Sequence, residues 1–349
     1  MKIQVLGAGH YLPGRKITNR DMEDIFSIRE DWINQLIGTK TRHFSIDFKK
    51  KTVEYSLKDI CVRAAERAIK KAKINRESID LLILSTATPD HLMPATVNLV
   101  ADELGMNGVA TFQLQSGCSG AVQAIEMGCR LLESRVYKHA LVIGGDVCNK
   151  YMDAERNFLN LRSSELINYA LFGDGAGAIV LSNSPENNHT GITFENVLNR
   201  FVGQGRPPGQ IMNWFGHLPE NINDMGKKER RKKFESAKED YKAIEASVPE
   251  MTNEVIDELL AIEGWNREDV DLFLPPQLSG IMTQRIIDSL GINTEKTINC
   301  VEKTGNNGNA LPFIQLNLLI KSLKPGQRAM GIAIESSKWI KTGFTLTKS

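Results

Sequence analysis

Ile74-Asn75-Arg76-Glu77-Ser78-Ile79-Asp80-Leu81-Leu82-Ile83 returns later in the chain as Trp265-Asn266-Arg267-Glu268-Asp269-Val270-Asp271-Leu272-Phe273-Leu274. Each copy follows an amphipathic helical pattern and runs into an apolar strand, so the same joint is met twice. Downstream the order also repeats. Phe112 to Gly128 reads as strand, tight turn and helix, as does Thr297 to Leu319, and Ala140 to Asp146 answers to Met330 to Ser336. Four elements in one order imply a duplicated unit, 1–183 and 184–349, with Gly117-Cys118 facing Gly305-Asn306 across a pseudo-twofold axis. Further strands are expected at Leu81 to Leu84 and Ala178 to Leu181, and helices at Leu57 to Ala72, Ser119 to Leu132 and Met251 to Ile262. That alternation is the signature of an α/β protein.

The 349 residues carry 43 Lys+Arg against 42 Asp+Glu, a formal net charge of +1. A dedicated nucleic-acid binder would be markedly basic. No apolar run reaches the ~18 residues of a membrane span, and the start MKIQVLGAGHYLPGRK lacks a signal-peptide core, so a cytoplasmic protein is expected. Cys61, Cys118, Cys129, Cys148 and Cys300 form no C-x-x-C pair, which favours reduced thiols and argues against a common zinc site. Two stretches break the repeat: Lys150 to Tyr169 reads as an insertion, and Phe201 to Asp240 as an irregular, then charged, lid or channel wall.

Cys118 lies in Gln115-Ser116-Gly117-Cys118-Ser119-Gly120-Ala121-Val122, between an apolar strand and an amphipathic helix. Small residues let the backbone turn sharply and set the cysteine at a helix N-terminus, where peptide dipoles favour a thiolate. Such a turn presents a nucleophile; a buried structural cysteine is the alternative. Phe172-Gly173-Asp174-Gly175-Ala176-Gly177 precedes a strand rather than a helix, so it is a tight turn and no dinucleotide loop.

With these segments the chain resembles the 3-oxoacyl-acyl-carrier-protein synthase III family of the thiolase superfamily. The matches are Asp31-Trp32-Ile33 through Gly38 and Arg42, Ala87-Thr88-Pro89-Asp90 through Pro94-Ala95-Thr96, the Gly-Cys-Ser-Gly turn, Phe172 to Ala178, Gly305-Asn306-Asn307 and Gly343-Phe344-Thr345-Leu346. The resemblance implies a thiolase-like duplicated αβαβα fold in five layers, a homodimer, and no bound cofactor. The substrate would be an acyl thioester on acyl carrier protein or coenzyme A. Cys118 matches the acyl-accepting cysteine and Asn306 the catalytic asparagine, with Asn307 beside it at the substrate. The family's histidine stands in Pro-His-Gln; here Leu274-Pro275-Pro276-Gln277-Leu278 puts Pro276, which has neither base nor side-chain donor, in its place. His217 is a further candidate for the missing group. The oxyanion hole is expected from the backbone at Cys118 and near Ser337, where the family has a glycine-rich turn. Trp32 matches half of a clamp on the adenine of coenzyme A, but Leu36 fills the arginine position of that clamp. Beside His91, Met93 is expected to reach a partner's acyl pocket, or else simply to pack at the interface. Lys227, Lys228, Arg230, Arg231, Lys232 and Lys233 offer a basic docking face for an acidic carrier protein, or a solvated helix face.

Three functions follow. The first is an acyltransferase that loads an acyl group on Cys118 and passes it to an amine, hydroxyl or thiol in a specialised polyketide or fatty-acyl pathway. The second is a decarboxylative condensation with malonyl-carrier protein. The third, of another class, is an idle subunit that stabilises an active paralogue, against which the retention of Cys118 and Asn306 argues.

Overall fold

A computed structural model describes residues 2–151, 163–184, 188–212 and 237–349. Nine strands form the main sheet: β1 (Ile3–Tyr11), β2 (Leu81–Thr86), β3 (Ala110–Gln115), β4 (His139–Asp146), β5 (Gly175–Ser182), β6 (Ile192–Phe201), β7 (Leu272–Leu274), β8 (Arg328–Glu335) and β9 (Ile340–Lys348). Their order is β7-β8-β9-β6-β1-β5-β4-β2-β3. Outward from the centre, β1-β5-β4-β2-β3 mirrors β6-β9-β8-β7, and an isolated parallel bridge from Phe273 to Thr297 stands where β3 would recur. The senses agree too, since β2 and β4 pair in parallel as β7 and β8 do, while the inner pairs are antiparallel. Only Ile3↔Phe194 and Gln4↔Thr193 join the two groups.

Six helices cover these strands: α1 (Leu57–Ala72), α2 (Thr96–Glu103), α3 (Gly120–Glu133), α4 (Tyr241–Glu263), α5 (Gly280–Ser289) and α6 (Leu311–Ser322). Ile125, Cys129 and Leu132 of α3 and Phe313, Leu316 and Leu319 of α6 pack with inner residues of both strand groups, such as Val142, Ile179, Phe194 and Phe344. Outside, α1 and α2 bury Ile60, Ala64, Ala68 and Val100 on the first group, and α4 and α5 bury Val255, Leu259 and Ile286 on the second. The result is the five-layered αβαβα arrangement, with α3 and α6 as its central layer. α6 is apolar nearly all round, as a helix between two sheets must be.

The repeated joint is real in space. Arg76–Ser78 and Arg267–Asp269 are matching 3₁₀ turns, each leading into a strand. The sheet register also refines the repeat: Leu81 pairs with Ala140 and Leu272 with Ala329, so Asp146 answers to Glu335 rather than to Ser336. Two expected elements change. α4 starts at Tyr241, ten residues before the expected Met251, capped by the Asp240 carboxylate on the Ala243 N–H (3.1 Å). The irregular Phe201 to Asp240 stretch contains a two-stranded ribbon, Gln210–Met212 with Ala237–Glu239. No described helix is long and apolar enough to cross a membrane.

Candidate active site

β3 ends at Gln115 and α3 begins at Gly120, so Ser116 to Ser119 form the expected turn, closed by the Gly120 N–H on the Gly117 carbonyl (2.9 Å). Two reaching side chains hold it. Glu335, at the end of β8, accepts through Oε2 from Ser116 Oγ (2.9 Å), Ser119 Oγ (2.5 Å) and the Ser119 N–H (3.4 Å). From behind, Asn309 Nδ2 donates to the Ser116 carbonyl (3.0 Å). Asn309 is itself fixed by Asp146, whose Oδ2 takes both its backbone N–H (2.8 Å) and its Nδ2 (2.9 Å). The other Asp146 oxygen accepts from Thr86 Oγ1 (3.0 Å), the Ala87 N–H (2.8 Å) and Thr88 Oγ1 (2.9 Å). The carboxylates at the ends of the equivalent strands β4 and β8 thus each grip a turn of the opposite half.

Asn306 is brought to the same place. Its backbone bridges Phe172 in parallel, and the Gly173 N–H donates to its carbonyl (3.1 Å), so the Gly173-Asp174 turn lies directly behind it. A side chain on Gly173 would meet the Thr304 carbonyl at 2.7 Å, which explains the glycine. The Asn306 amide donates to the Leu278 carbonyl (3.2 Å) and accepts from the Gly308 N–H (3.0 Å). Cys118 and Asn306 line one cavity of about 220 Å³, together with Leu36, Phe172, Gln210, Glu239, Tyr241, Leu278, Met282, Arg285 and Ser336 among others. None of the described lining residues is a histidine.

The expected site residues do not all reach this cavity. The Cys118 thiol is not poised as a thiolate: burial first, then the carboxylates of Glu335, Asp146 and Glu239, push it up to about 12. Burial and these charges raise the thiol although only Ser119 stands between Cys118 and the first residue of α3, Gly120. Ser336 rather than Ser337 reaches the cavity wall, because the Ser337 hydroxyl turns back to donate to Glu335. Asn307 is fully buried away from the cavity, donating to the Thr304 carbonyl (3.1 Å). Trp32 packs in an apolar cluster with Ile17, Met22 and Phe26, and Leu36 of the same helix, Glu30–Leu36, reaches the cavity instead. Pro276 sits behind the wall, its carbonyl accepting from Thr283 Oγ1 (3.3 Å). Met93 is 86% exposed. His217 and the basic run Lys227, Lys228, Arg230, Arg231, Lys232 and Lys233 lie outside the described residues. Sequence reasoning missed Glu239 and Glu335, and the only signal for Glu335 was a carboxylate where the family has glycine.

Comparison with known proteins fits this site. Residues 112–197 match the profile of 3-oxoacyl-[acyl-carrier-protein] synthase III, and residues 260–336 match that family's C-terminal profile. A β-ketoacyl-[acyl-carrier-protein] synthase III of a Bradyrhizobium species is 31% identical over 323 residues, which is 91% of this chain and 90% of that one. The chain belongs to the synthase III family. Among solved structures, AbyA1, a tetronic acid condensing enzyme, is 42% identical with a TM-score of 0.90 over 99% of both chains. The synthase III of Aquifex aeolicus, at 24% identity and a TM-score of 0.80 over 99% of both chains, shares the fold.

In this chain, Glu335→Gln keeps an acceptor for the two serine hydroxyls but removes the carboxylate that raises the Cys118 thiol most. It should lower the Cys118 pKa, so that the rate of thiol alkylation rises at a lower pH than in the wild type. An unshifted alkylation profile would show that burial alone holds the thiol protonated.

Proposed function

We propose that this chain is a condensing acyltransferase of a specialised acyl pathway, one that forms an acyl thioester on Cys118 and passes the acyl group to a hydroxyl-bearing thioester, with no decarboxylation. The observation that carries this reading is the cavity, where the nucleophile and Asn306 stand together with no histidine among the described lining residues. The 42% identity to a tetronic acid condensing enzyme over nearly all of both chains supports it.

Tetronic acid is a five-membered lactone carrying a 4-hydroxyl, and its chemistry sets the steps. Cys118 sulfur attacks the carbonyl of a 3-oxoacyl thioester, and the carrier thiol leaves. The hydroxyl of a 2-hydroxyacyl thioester then attacks the Cys118 thioester, giving an ester and restoring the thiol. The carbon between the two carbonyls, already acidic, attacks the acceptor's own thioester and expels the second carrier thiol, closing the ring. Oxidation states balance and no carbon dioxide is released. The family's histidine serves decarboxylation, so Pro276 at its position is no loss for this sequence of steps. The Asn306 amide supports the carbonyl oxygen that gains charge.

The donor would arrive on acyl carrier protein, since Leu36 leaves no guanidinium to clamp an adenine. A homodimer fits the free edge of β3, which ends the sheet, and the exposed apolar side chains of Leu92 (77%) and Met93 (86%). Five free cysteines suit a cytoplasmic setting.

Intact-protein mass after exposure to a 3-oxoacyl-carrier protein should show one acyl adduct. Adding a 2-hydroxyacyl thioester should discharge it and yield a lactone. Family membership favours a second reading, condensation with malonyl-carrier protein. Rapid carbon dioxide release from that substrate by the wild type would select it. On the proposed reading release is slow, and Pro276→His raises it modestly.

A further inference from the structure

Of the three carboxylates that act on Cys118, Asp146 is engaged by five donors, and Glu335 and Glu239 are not alike. Glu335 has its oxygens occupied by Ser116, Ser119 and Ser337. Both of its oxygens are thus already engaged in holding the turn. Glu239 is the opposite case. It ends the strand Ala237–Glu239, paired in register with Gln210, and it lines the cavity with Cys118 and Asn306. Its Oε1 accepts from Gln210 Nε2 (2.6 Å), while Oε2 is buried with no donor in good hydrogen-bonding geometry, the Tyr241 hydroxyl beside it being turned to Asn168 yet close enough to favour the carboxylate. A buried carboxylate oxygen left unpaired is costly and calls for an explanation.

We propose that Glu239 is the general base of the acceptor step, taking the hydroxyl proton of the incoming thioester as its oxygen attacks the Cys118 acyl group. This rests on the acyl-transfer reading above. The proton moves from the acceptor hydroxyl to the Glu239 carboxylate, the new C–O bond forms, and the Cys118 C–S bond breaks. The protonated Glu239 then returns the proton to the departing Cys118 sulfur, which favours the thiol because nearby carboxylates disfavour a thiolate.

The surroundings fit this work. Burial raises Glu239 to about 7, where one group can both accept and release a proton near neutrality. The neighbouring Tyr241 hydroxyl donates to Asn168, and its own ionisation is pushed up by burial and by Glu239, so it stays neutral. Arg285, the cation of the cavity lining, is paired with Glu245 and leaves Glu239 uncompensated. Cys118 and Cys148 are the other titratable groups that sense its charge.

Glu239→Gln keeps the size of the side chain and an amide partner for Gln210 but cannot take a proton. Acylation of Cys118 from the 3-oxoacyl donor should not slow, and should reach its full rate at a lower pH than in the wild type, because one of the charges that raise the thiol is gone. Discharge to the 2-hydroxyacyl thioester should fall on the order of 10²- to 10³-fold, with partial recovery in Glu239→Asp. In the wild type the discharge rate should climb as pH rises through about 7 and then level, and the variant should lose this step. A stability readout is independent of substrate. Ionising a group whose pKa is raised by folding costs stability as pH rises from the ordinary carboxylate range to about 7. Glu239→Gln should therefore melt higher than the wild type at pH 8 and match it at pH 4. Full-rate discharge by Glu239→Gln, or a wild-type discharge rate indifferent to pH, overturns the proposal while leaving acyl transfer standing. Absence of any adduct on the wild type overturns the acyl-transfer reading and this one with it.

Discussion

Cys118→Ala is expected to leave no acyl adduct at all after exposure to a carrier-bound donor, and turnover should fall by roughly 10⁴-fold or more. Cys118 is the only cysteine among the described residues lining the cavity. Cys61, Cys129 and Cys300 are buried in the core. The fold should survive, because the turn is held through Ser116 and Ser119 by Glu335 and Asn309, none of which uses the sulfur. Unfolding in urea should therefore match the wild type. A surviving adduct of the same mass, mapped to another residue, would remove Cys118 from the chemistry.

Asp146→Ala is the largest stability loss expected from one substitution. Five donors converge on this buried carboxylate, from Thr86, Ala87, Thr88 and, twice, Asn309. Removing the acceptor strands them in the interior at about 1–3 kcal/mol for each group that finds no water. A net loss of about 3–5 kcal/mol follows, read as a drop in the urea midpoint. The same change frees Asn309 and with it the Ser116 carbonyl, so Cys118 acylation should slow even below the melting range. Gly308 adds to the constraint, since it adopts a positive φ of 53° and a side chain there would overlap the Asp146 carboxylate. A variant as stable as the wild type would mean that water takes the place of the lost oxygens.

Much of this was legible in the chain. The Ile74 and Trp265 segments are local patterns, and local patterns survive folding as 3₁₀ turns and strands. α1 was read to the residue, because Ser56 and Asp59 form a capping box ahead of an unbroken apolar stripe. The first ten residues of α4 are harder to read, because Pro249 stands inside the helix and a proline argues for a boundary that packing overrides. Cys118 is legible in the small residues around it, whereas its charge state is not. A dipole is visible in sequence, whereas Glu335 lies 217 positions away from Cys118 and reaches it only through the sheet. Glu239 was hidden for the same reason, being an ordinary acidic residue until the ribbon of Gln210–Met212 and Ala237–Glu239 sets it in the cavity wall.

The exchanged grips of Asp146 and Glu335 bear on how such a chain could be divided. Two backbone pairs link the strand groups, Ile3↔Phe194 and Gln4↔Thr193. Each half carries at its strand end an acceptor for the other half's loop, Glu335 for Ser116 and Ser119 and Asp146 for Asn309. Severed from its companion, the first fragment would keep Asp146 bonded to Thr86, Ala87 and Thr88 but lose the Glu335 brace on its Ser116 to Ser119 turn, and the second would lose the Asp146 grip on Asn309. The ancestral single unit would have met this need by pairing with a copy of itself, each lending its acid to the other. Fusion made that loan permanent and freed the two loops to diverge, one to keep a sulfur and the other an amide.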